Sequence, residues 1–488
     1  MKKLLVLVLC LTLLGTSALA ATPITWLTTG DAAAKPIEEG DRIIAAINEK
    51  FDIDLNVEYV PEGSVEKVNV QMASGDLPDI VTGAFGTSAT QSWIENGMVI
   101  PLNDYLDDYP NLSAWLEEYT WTAVDGQYYG IPFISQYSVA NSLIMMRGDW
   151  LEKLGLSYPT NLDEMAAVLH AFTYDDPDGD GQDNTYGITG VKPLANLDWP
   201  FFAYGIPYSD YGLDADGNVV PWFESEGWAD GMRYVHALWE DGVIDREFML
   251  NDNSKAEEKF YQGKAGAYTN ALYRHVARHI NNLKSINENA SLAYGLPPVG
   301  PDGVSFGLNK QGKTGFLTCV TVTCPEPEKA LAFLDFMVSE EGNNLVRLGI
   351  EGVHYSVADD GSIVYHEEER MKDAFSEDGW AHALAWGSLY WPLESGYYPS
   401  TAAYADEALE TVALASEAQK PALIKKTTDL EIEYGSELTD IYNQYFLDMM
   451  TGDLSVEEGL PKLSAEWRSQ GGEALLEELN EIYHSAND

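Results

Sequence analysis

A chain of 488 residues with 78 Asp and Glu against 28 Lys and Arg carries a formal charge of −50, and such a surface repels DNA, RNA and anionic lipid. Hydrophobic residues at 45% and aromatics at 11% exclude a disordered polyelectrolyte despite that charge. The length exceeds a usual single domain and is enough to bury a large core.

Residues 1–20, "MKKLLVLVLCLTLLGTSALA", read as a secretory signal peptide. Lys2 and Lys3 precede an apolar run, and Ala18-Leu19-Ala20 supplies the small-x-small cleavage pattern. The mature chain is expected to start near Ala21 and to be exported, to a periplasm or to the extracellular space and cell surface. Cys10 follows Leu9 rather than a small residue, so the stretch does not read as a lipid-attachment box. No later segment has the uninterrupted apolar run of about 18 residues that a membrane span needs. Cys319 and Cys324 lie five apart in "FLTCVTVTC", a spacing that points them to opposite faces of a strand. Two buried thiols are expected there, not a disulfide framework.

Beyond the leader, "PITWLTTG" reads as a strand, and a helix follows through "KPIEEGDRIIAAINEKF", where Ile43, Ile44 and Ile47 share a face. A second strand "DLNVEYV", a helix ending in "QMASGDLPD" and a third strand complete a β-α-β-α-β pattern, the signature of a parallel sheet covered by helices. Ligands bind such sheets at the carboxyl ends of strands, here residues 28–31 and 82–88. Further on, an extended stretch with Pro132 leads to a strand and then to a helix beginning near Asp149. "PTNLDEMAAVLHAF" is a helix that Asn161 caps, with Glu164 three residues on. Residues 222–248 and 254–290 read as largely helical, broken by "EDGVIDREF" and "QGKAGAYTN". "GLPPVGPDGVSFG" is a connector between lobes, and the chain from 325 onward is mostly amphipathic helix.

Taken in order, "ASGDLPDIV", "YYGIP", "RGDWLEKLGLSYPTNLDEM", "GKAGAY", "LPPVGPDG", "PEKALAFLDFMVSEEGNNLVRLGIEGVHY" and "EWRSQGGEALLEELNEIY" resemble the extracellular solute-binding proteins of bacterial ABC importers. The similarity is greatest to the large oligosaccharide-binding branch, family 1, and runs over about residues 24–485. It implies an α/β, two-lobe periplasmic-binding-protein fold of type II, each lobe a sheet flanked by helices, with crossing strands as the hinge. The lobes are expected at 21–135 and 313–350 for the first, and at 136–312 and 351–488 for the second. The implied function is capture of a sugar or oligosaccharide by hinge closure and its delivery to a membrane permease, by a chain acting as a monomer and not as an enzyme. A secreted glycan-active enzyme and a ligand-binding sensor subunit are the alternatives.

"YDDPDGDGQDNTYG", residues 174–187, alternates acids in a tight loop, which brings several hard oxygens within reach of one cation. Relatives carry similar loops at this point, and the resemblance implies a structural calcium ion. Asp176, Asp178 and Asp180 match positions one, three and five of a calcium loop, and Gly181 permits the turn. Gln182 would offer its carbonyl and Asn184 falls at position nine. Position twelve is Gly187, where a helix–loop–helix site has glutamate. The alternative is an acidic turn without an ion.

Aromatic planes suit the flat C–H faces of sugar rings. Trp380, Trp386, Tyr390 and Trp391 in "WAHALAWGSLYW", and Trp199 in "LDWPFFAYG", are therefore candidate platforms, against the alternative that each fills core. Arg274, following the strand-like "KAGAYT", is a candidate fork onto ligand oxygens and is preferred to Arg147, for which a structural salt bridge is the commoner fate. Tyr137 and Asn141 flank the first crossing. His354 and Tyr355 belong to a segment recurring in the family, with ligand contact and a helix–loop corner as its alternative roles. His275 and His279 share a helix face without an evident third metal ligand. No nucleophile elbow, zinc helix, P-loop or dinucleotide fingerprint occurs.

Overall fold

The computed structural model describes residues 21–30, 36–61, 65–84, 86–133, 144–191, 197–206, 210–269, 279–304, 307–309, 316–375, 381–386, 410, 419–424 and 428–487. The expected leader lies outside these residues.

In chain order the strands that matter are β1 Thr22–Gly30, β2 Ile53–Pro61, β3 Ile80–Ala84, β4 Ile131–Phe133, β5 Ile144–Arg147, β6 Tyr186–Ile188, β7 Tyr211–Leu213, β8 Val219–Pro221, β9 Ala265–Thr269, β10 Leu292–Ala293, β11 Gly307–Asn309 and β12 Phe316–Val320. The first sheet has the order β2-β1-β3-β12-β4. β1 runs parallel to β2 and β3, whereas β12 is antiparallel to β3 and β4, with Phe316 opposite both Ala84 and Phe133. The carboxyl ends of β1, β2, β3 and β4 therefore share one edge with the amino end of β12. The second sheet has the order β10-β5-β9-β6, with β5 antiparallel to β9 and β6 parallel to it. Ile144 sits opposite Thr269 and Ile188 opposite Ala267, so β9 and β6 end on the edge where β5 begins.

Local chemistry accounts for these elements. Helix α1, Arg42–Phe51, starts at Asp41, whose carboxylate accepts from the N–H groups of Ile43 and Ile44. It buries Ile43 and Ile47 completely, each stabilising by roughly 1.5–3 kcal/mol. The helix Leu162–Tyr174 starts at Asn161 as expected, its side chain accepting from Glu164 N–H. Glu164 turns back onto Thr160, at 2.9 Å from both its N–H and its hydroxyl.

In the first sheet, Ile24, Trp26, Ile80 and Val320 face one core, while Leu27, Val81, Leu317 and Cys319 face another on the opposite side. Cys324 lies in the former, so the two free, buried thiols sit in different cores as expected, although β12 ends at Val320 and a turn, not strand alternation, places Cys324. The second lobe has a large core that runs from Ile144 to Leu479 and takes in Tyr442, Phe446 and Trp467 of the C-terminal helices. Residues 351–386 differ from the expected division at 350. Phe375, Ala381, Leu384 and Ala385 pack into the first-lobe core, and His354 bonds Asp373 beneath them. Spacing such as the i, i+3, i+4 of Ala381, Leu384 and Ala385 marks a buried face but does not say which lobe receives it.

Candidate functional site: facing sheet edges and an acidic loop

In chain order the described residues leave the first lobe after β4 and enter the second at β5, return to the first at β12, and are in the second again from Ile424 on. β4 ends on the carboxyl edge of the first sheet and β12 begins there, and β5 begins on the edge of the second sheet where β9 and β6 end. The strand ends on these two edges are the candidate ligand-binding positions, and the cleft is taken to lie along them.

On the first-lobe side, buried Thr82 accepts from Trp26 Nε1 at 2.9 Å and lies 3.0 Å from the hydroxyl of Thr318. Beyond β3, Thr87 and Thr90 form a reciprocal capping box at the start of helix Ser88–Glu95. On the second-lobe side, β6 runs into Thr189 and Gly190, which are held by a buried carboxylate that sequence reasoning missed. Asp245, fully buried, accepts from Thr189 Oγ1 at 2.8 Å, Asn251 Nδ2 at 2.9 Å, Lys259 Nζ at 2.8 Å and Glu247 N at 3.0 Å. Asn251 also donates to the carbonyl of Gly190 at 3.1 Å. Burial alone would raise the Asp245 carboxyl, but the hydrogen bonds from Lys259 and Asn251 hold it below its ordinary value. These residues are scattered from 189 to 259 in no recognisable motif, so no pattern in the chain announced them.

Of the expected ligand residues, Trp199 fills the second-lobe core, 1% exposed and edge-on to Tyr234 with centroids 6.0 Å apart. Tyr137, Asn141, Arg274, Trp380, Tyr390 and Trp391 lie outside the described residues. The backbone of Trp386 ends the turn Ala383–Trp386, and its side chain is outside the description. Arg147 is at the far end of β5, paired with both oxygens of Asp149 at 2.8 and 2.5 Å and lying over the ring of Trp150. His279 is buried against the Tyr261 hydroxyl at 2.7 Å, and His275 is outside the description. His354 builds a corner: its Nδ1 accepts from Ile350 N–H and its Nε2 faces Asp373.

The acidic loop leads into the amino end of β6, so it lies at the opposite edge of the second sheet from the cleft. Thr185 Oγ1 donates to the Phe172 carbonyl at 2.8 Å, and Tyr186 N–H to that of Lys264 at 2.9 Å, which pins the loop exit. Asp176 takes a left-handed conformation, with φ of 50°. Asp176, Asp178 and Asp180 each bring one carboxylate oxygen within 4.8 Å of the others, about twice a calcium–oxygen distance of ~2.4 Å. The N–H of Gly181 on Asp176 holds that carboxyl below its ordinary value. Asn184 donates through Nδ2 to Asp180 at 2.8 Å, while its buried Oδ1 has no hydrogen-bond partner among the described residues. At position twelve, a Cβ on Gly187 would come 2.5 Å from the Leu169 carbonyl oxygen, so the backbone of the preceding helix bars any side chain there.

The sequence matches the family described as bacterial extracellular solute-binding protein over residues 28–344. The chain belongs to this family. It is therefore a solute-binding protein and not an enzyme, working outside the cytoplasm, in the extracellular space or at the cell surface. It is similar to the polygalacturonan/rhamnogalacturonan-binding protein YtcQ of Bacillus subtilis, at 29% identity over 463 residues, 91% of this chain and 89% of the relative. The fructooligosaccharide ABC transporter substrate-binding protein FusA of Streptococcus pneumoniae is 29% identical over 298 residues, 56% of this chain and 53% of the relative. The fold of this solute-binding protein is that of solved FusA in complex with kestose, with a TM-score of 0.71 at 21% identity, covering 96% of this chain and 100% of that one. A FusA EF-hand mutant in complex with fructo-nystose gives a TM-score of 0.70 at 20% identity, with coverage of 96% and 100%.

Proposed function

We propose that this solute-binding protein captures an oligosaccharide between the two sheet edges and presents it, by closure of the lobes about the crossing segments, to the permease of an ABC importer. The observation that carries the reading is the convergence of β1, β3, β6 and β9 on those edges, in a chain related over nearly its whole length to a glycan-binding protein. Closure works because a ligand touching both lobes binds the closed state more tightly and shifts the population toward it. The formal charge of −50 makes a neutral saccharide a better fit than a polyanionic one, whose approach the field opposes. The aromatics expected to stack on the sugar are Trp380, Trp386, Tyr390 and Trp391, with Arg274, Tyr137 and Asn141 supplying polar contacts. The protein is expected to act as a monomer.

We also propose that the acidic loop holds a calcium ion. The donor set fits: three carboxylates, the Gln182 carbonyl and the orphaned acceptor Oδ1 of Asn184 are all hard oxygens. Calcium there would neutralise three converging charges and brace the α-helix-to-β6 connection, remote from the solute.

Thermal-shift and calorimetric titration against a panel of neutral fructo-, gluco- and manno-oligosaccharides, with oligogalacturonates included, tests the function. The expected result is a stabilising saccharide that is recovered unchanged. Hydrolysis of the sugar, or a panel with no stabilising member, overturns the reading.

A further inference from the structure

Two buried imidazoles in the first lobe are built alike. His354 presents Nε2 to Asp373 Oδ2 at 2.7 Å and takes the N–H of Ile350 on Nδ1 at 2.8 Å. His382 presents Nε2 to Asp41 Oδ2 at 2.9 Å and takes the N–H of Leu384 on Nδ1 at 3.2 Å. A backbone N–H can only donate, so each Nδ1 carries the lone pair and each Nε2 the proton facing its carboxylate. Both rings are fully buried, on either side of the Phe375 ring at 5.3 and 5.4 Å.

The carboxylates belong to the start of α1 and to the segment that packs on it. Asp41 caps α1 and also accepts from Ala374 N–H at 2.9 Å, while Arg42 grips both oxygens of Asp373. The bonds of Asp41 and Arg42 therefore hold residues 373–374 and 382 against the start of α1. The segment ends in the turn Ala383–Trp386, whose Ala383 carbonyl accepts from the hydroxyl of Tyr59. Tyr59 lies opposite Thr28 near the carboxyl end of β2, so the turn sits at the cleft edge of the first sheet.

We propose that His354 is a proton-sensitive anchor for that edge: neutral, it holds Asp373 and the segment carrying the turn Ala383–Trp386 against the sheet, and protonated, it releases them. A proton added to its Nδ1 meets the Ile350 backbone donor head-on and forfeits that hydrogen bond. Two guanidinium groups oppose it further, while Asp373 favours it. Asp373, Arg42 and Arg370 surround His354, with His366 bonded to the neighbouring Val353 carbonyl. Asp41 faces His382, whose N–H donates to the carbonyl of Val346, beside buried Arg347. Burial, then the two guanidinium groups, push His354 below its ordinary value against the pull of Asp373. Asp41 stays ionised in mild acid, lowered to about 2 by His382 and backbone donors despite its burial. A cavity of about 250 Å³ bordered by Glu38, Glu39 and Lys372 is also lined by Asp41 and Asp373, the carboxylate of each pair.

The consequence that solute capture weakens in acid rests on the saccharide reading above; the anchor itself does not. Residue-resolved hydrogen exchange on the saccharide-free mature chain tests it. Protection factors of the Ile350 and Ala383 amides, bonded to His354 and to the Ala374 carbonyl, should be constant above pH 7. They should then fall by up to about tenfold per pH unit below ~6.5, while amides in β1 and β3 keep theirs. In the variant His354→Gln the fall at Ala383 should vanish. Flat wild-type protection from pH 7.5 to 5.0 overturns the anchor even if the variant does not fold. Because no sugar is present, that result is separate from a failed saccharide titration.

Discussion

Replacing Asp245 with alanine should destabilise the second lobe and loosen its cleft edge. The carboxylate serves four donors, and its loss does not orphan them equally. Lys259 keeps Glu247 at 3.1 Å, and Asn251 keeps the Gly190 carbonyl at 3.1 Å. Thr189 Oγ1 and the N–H of Glu247 lose the acceptor they share in Asp245, one of them in a fully buried site. At about 1–3 kcal/mol for each buried group left unsatisfied, the expected loss is about 3 kcal/mol. For a lobe of this size that corresponds to a fall in melting temperature of roughly 6–12 °C. Lys259→Met should cost at least as much, because it strands a buried charge without a counter-ion. The assay is scanning calorimetry at pH 7, repeated downward in pH. Asp245 is held below its ordinary value in the folded state, so its contribution is present above the unfolded value near ~3.9. It is lost as pH falls through the folded value, and the gap between wild type and Asp245→Ala should narrow below about pH 4. Melting within a degree of wild type at pH 7, or a gap that widens in acid, would refute the reasoning.

Three further outcomes follow from the same geometry. Chelation should lower the melting temperature by about 5 °C at calcium well above its dissociation constant, and Asp178→Asn should abolish that response. Asparagine there can still accept the Asp180 N–H that Asp178 takes at 3.3 Å, so the chelated variant should melt with the chelated wild type. No calcium response in the wild type would leave an acidic turn. Gly187→Ala should drop stability by about 1–3 kcal/mol in a urea melt, because its Cβ meets helix backbone at 2.5 Å; a neutral result would show that the loop shifts freely. Trp199→Phe should lower stability by less than the roughly 3–5 kcal/mol of truncation to alanine and leave saccharide affinity unchanged, since its ring is core. A large affinity loss without a stability loss would return Trp199 to the ligand site.

Much of this architecture was legible in the chain because local signals agreed with tertiary ones. The β-α-β-α-β start, the Asn161 cap and the strand at 265–269 all follow from periodicity and capping chemistry. The division at 350 was not legible: His354, Phe375 and His382 join the first lobe through hydrogen bonds to Asp41 and Asp373, contacts between residues more than 300 apart or within irregular chain. Asp245 escaped notice for a related reason, since one carboxylate among 78 acidic residues carries no signal until its donors converge on it. Trp199 shows the reverse error: an aromatic cluster in the sequence does not say which way its rings face. The three acids of the loop do converge as their alternate spacing suggests, and Gly187 at position twelve has a steric cause that spacing alone does not disclose.

The most direct test of the central claim is isothermal titration of the purified mature protein against the oligosaccharide panel, with the sugar analysed afterward. The account predicts saturable one-to-one binding of at least one neutral oligosaccharide, returned intact. Absence of binding across the panel, or cleavage of the bound sugar, would contradict it.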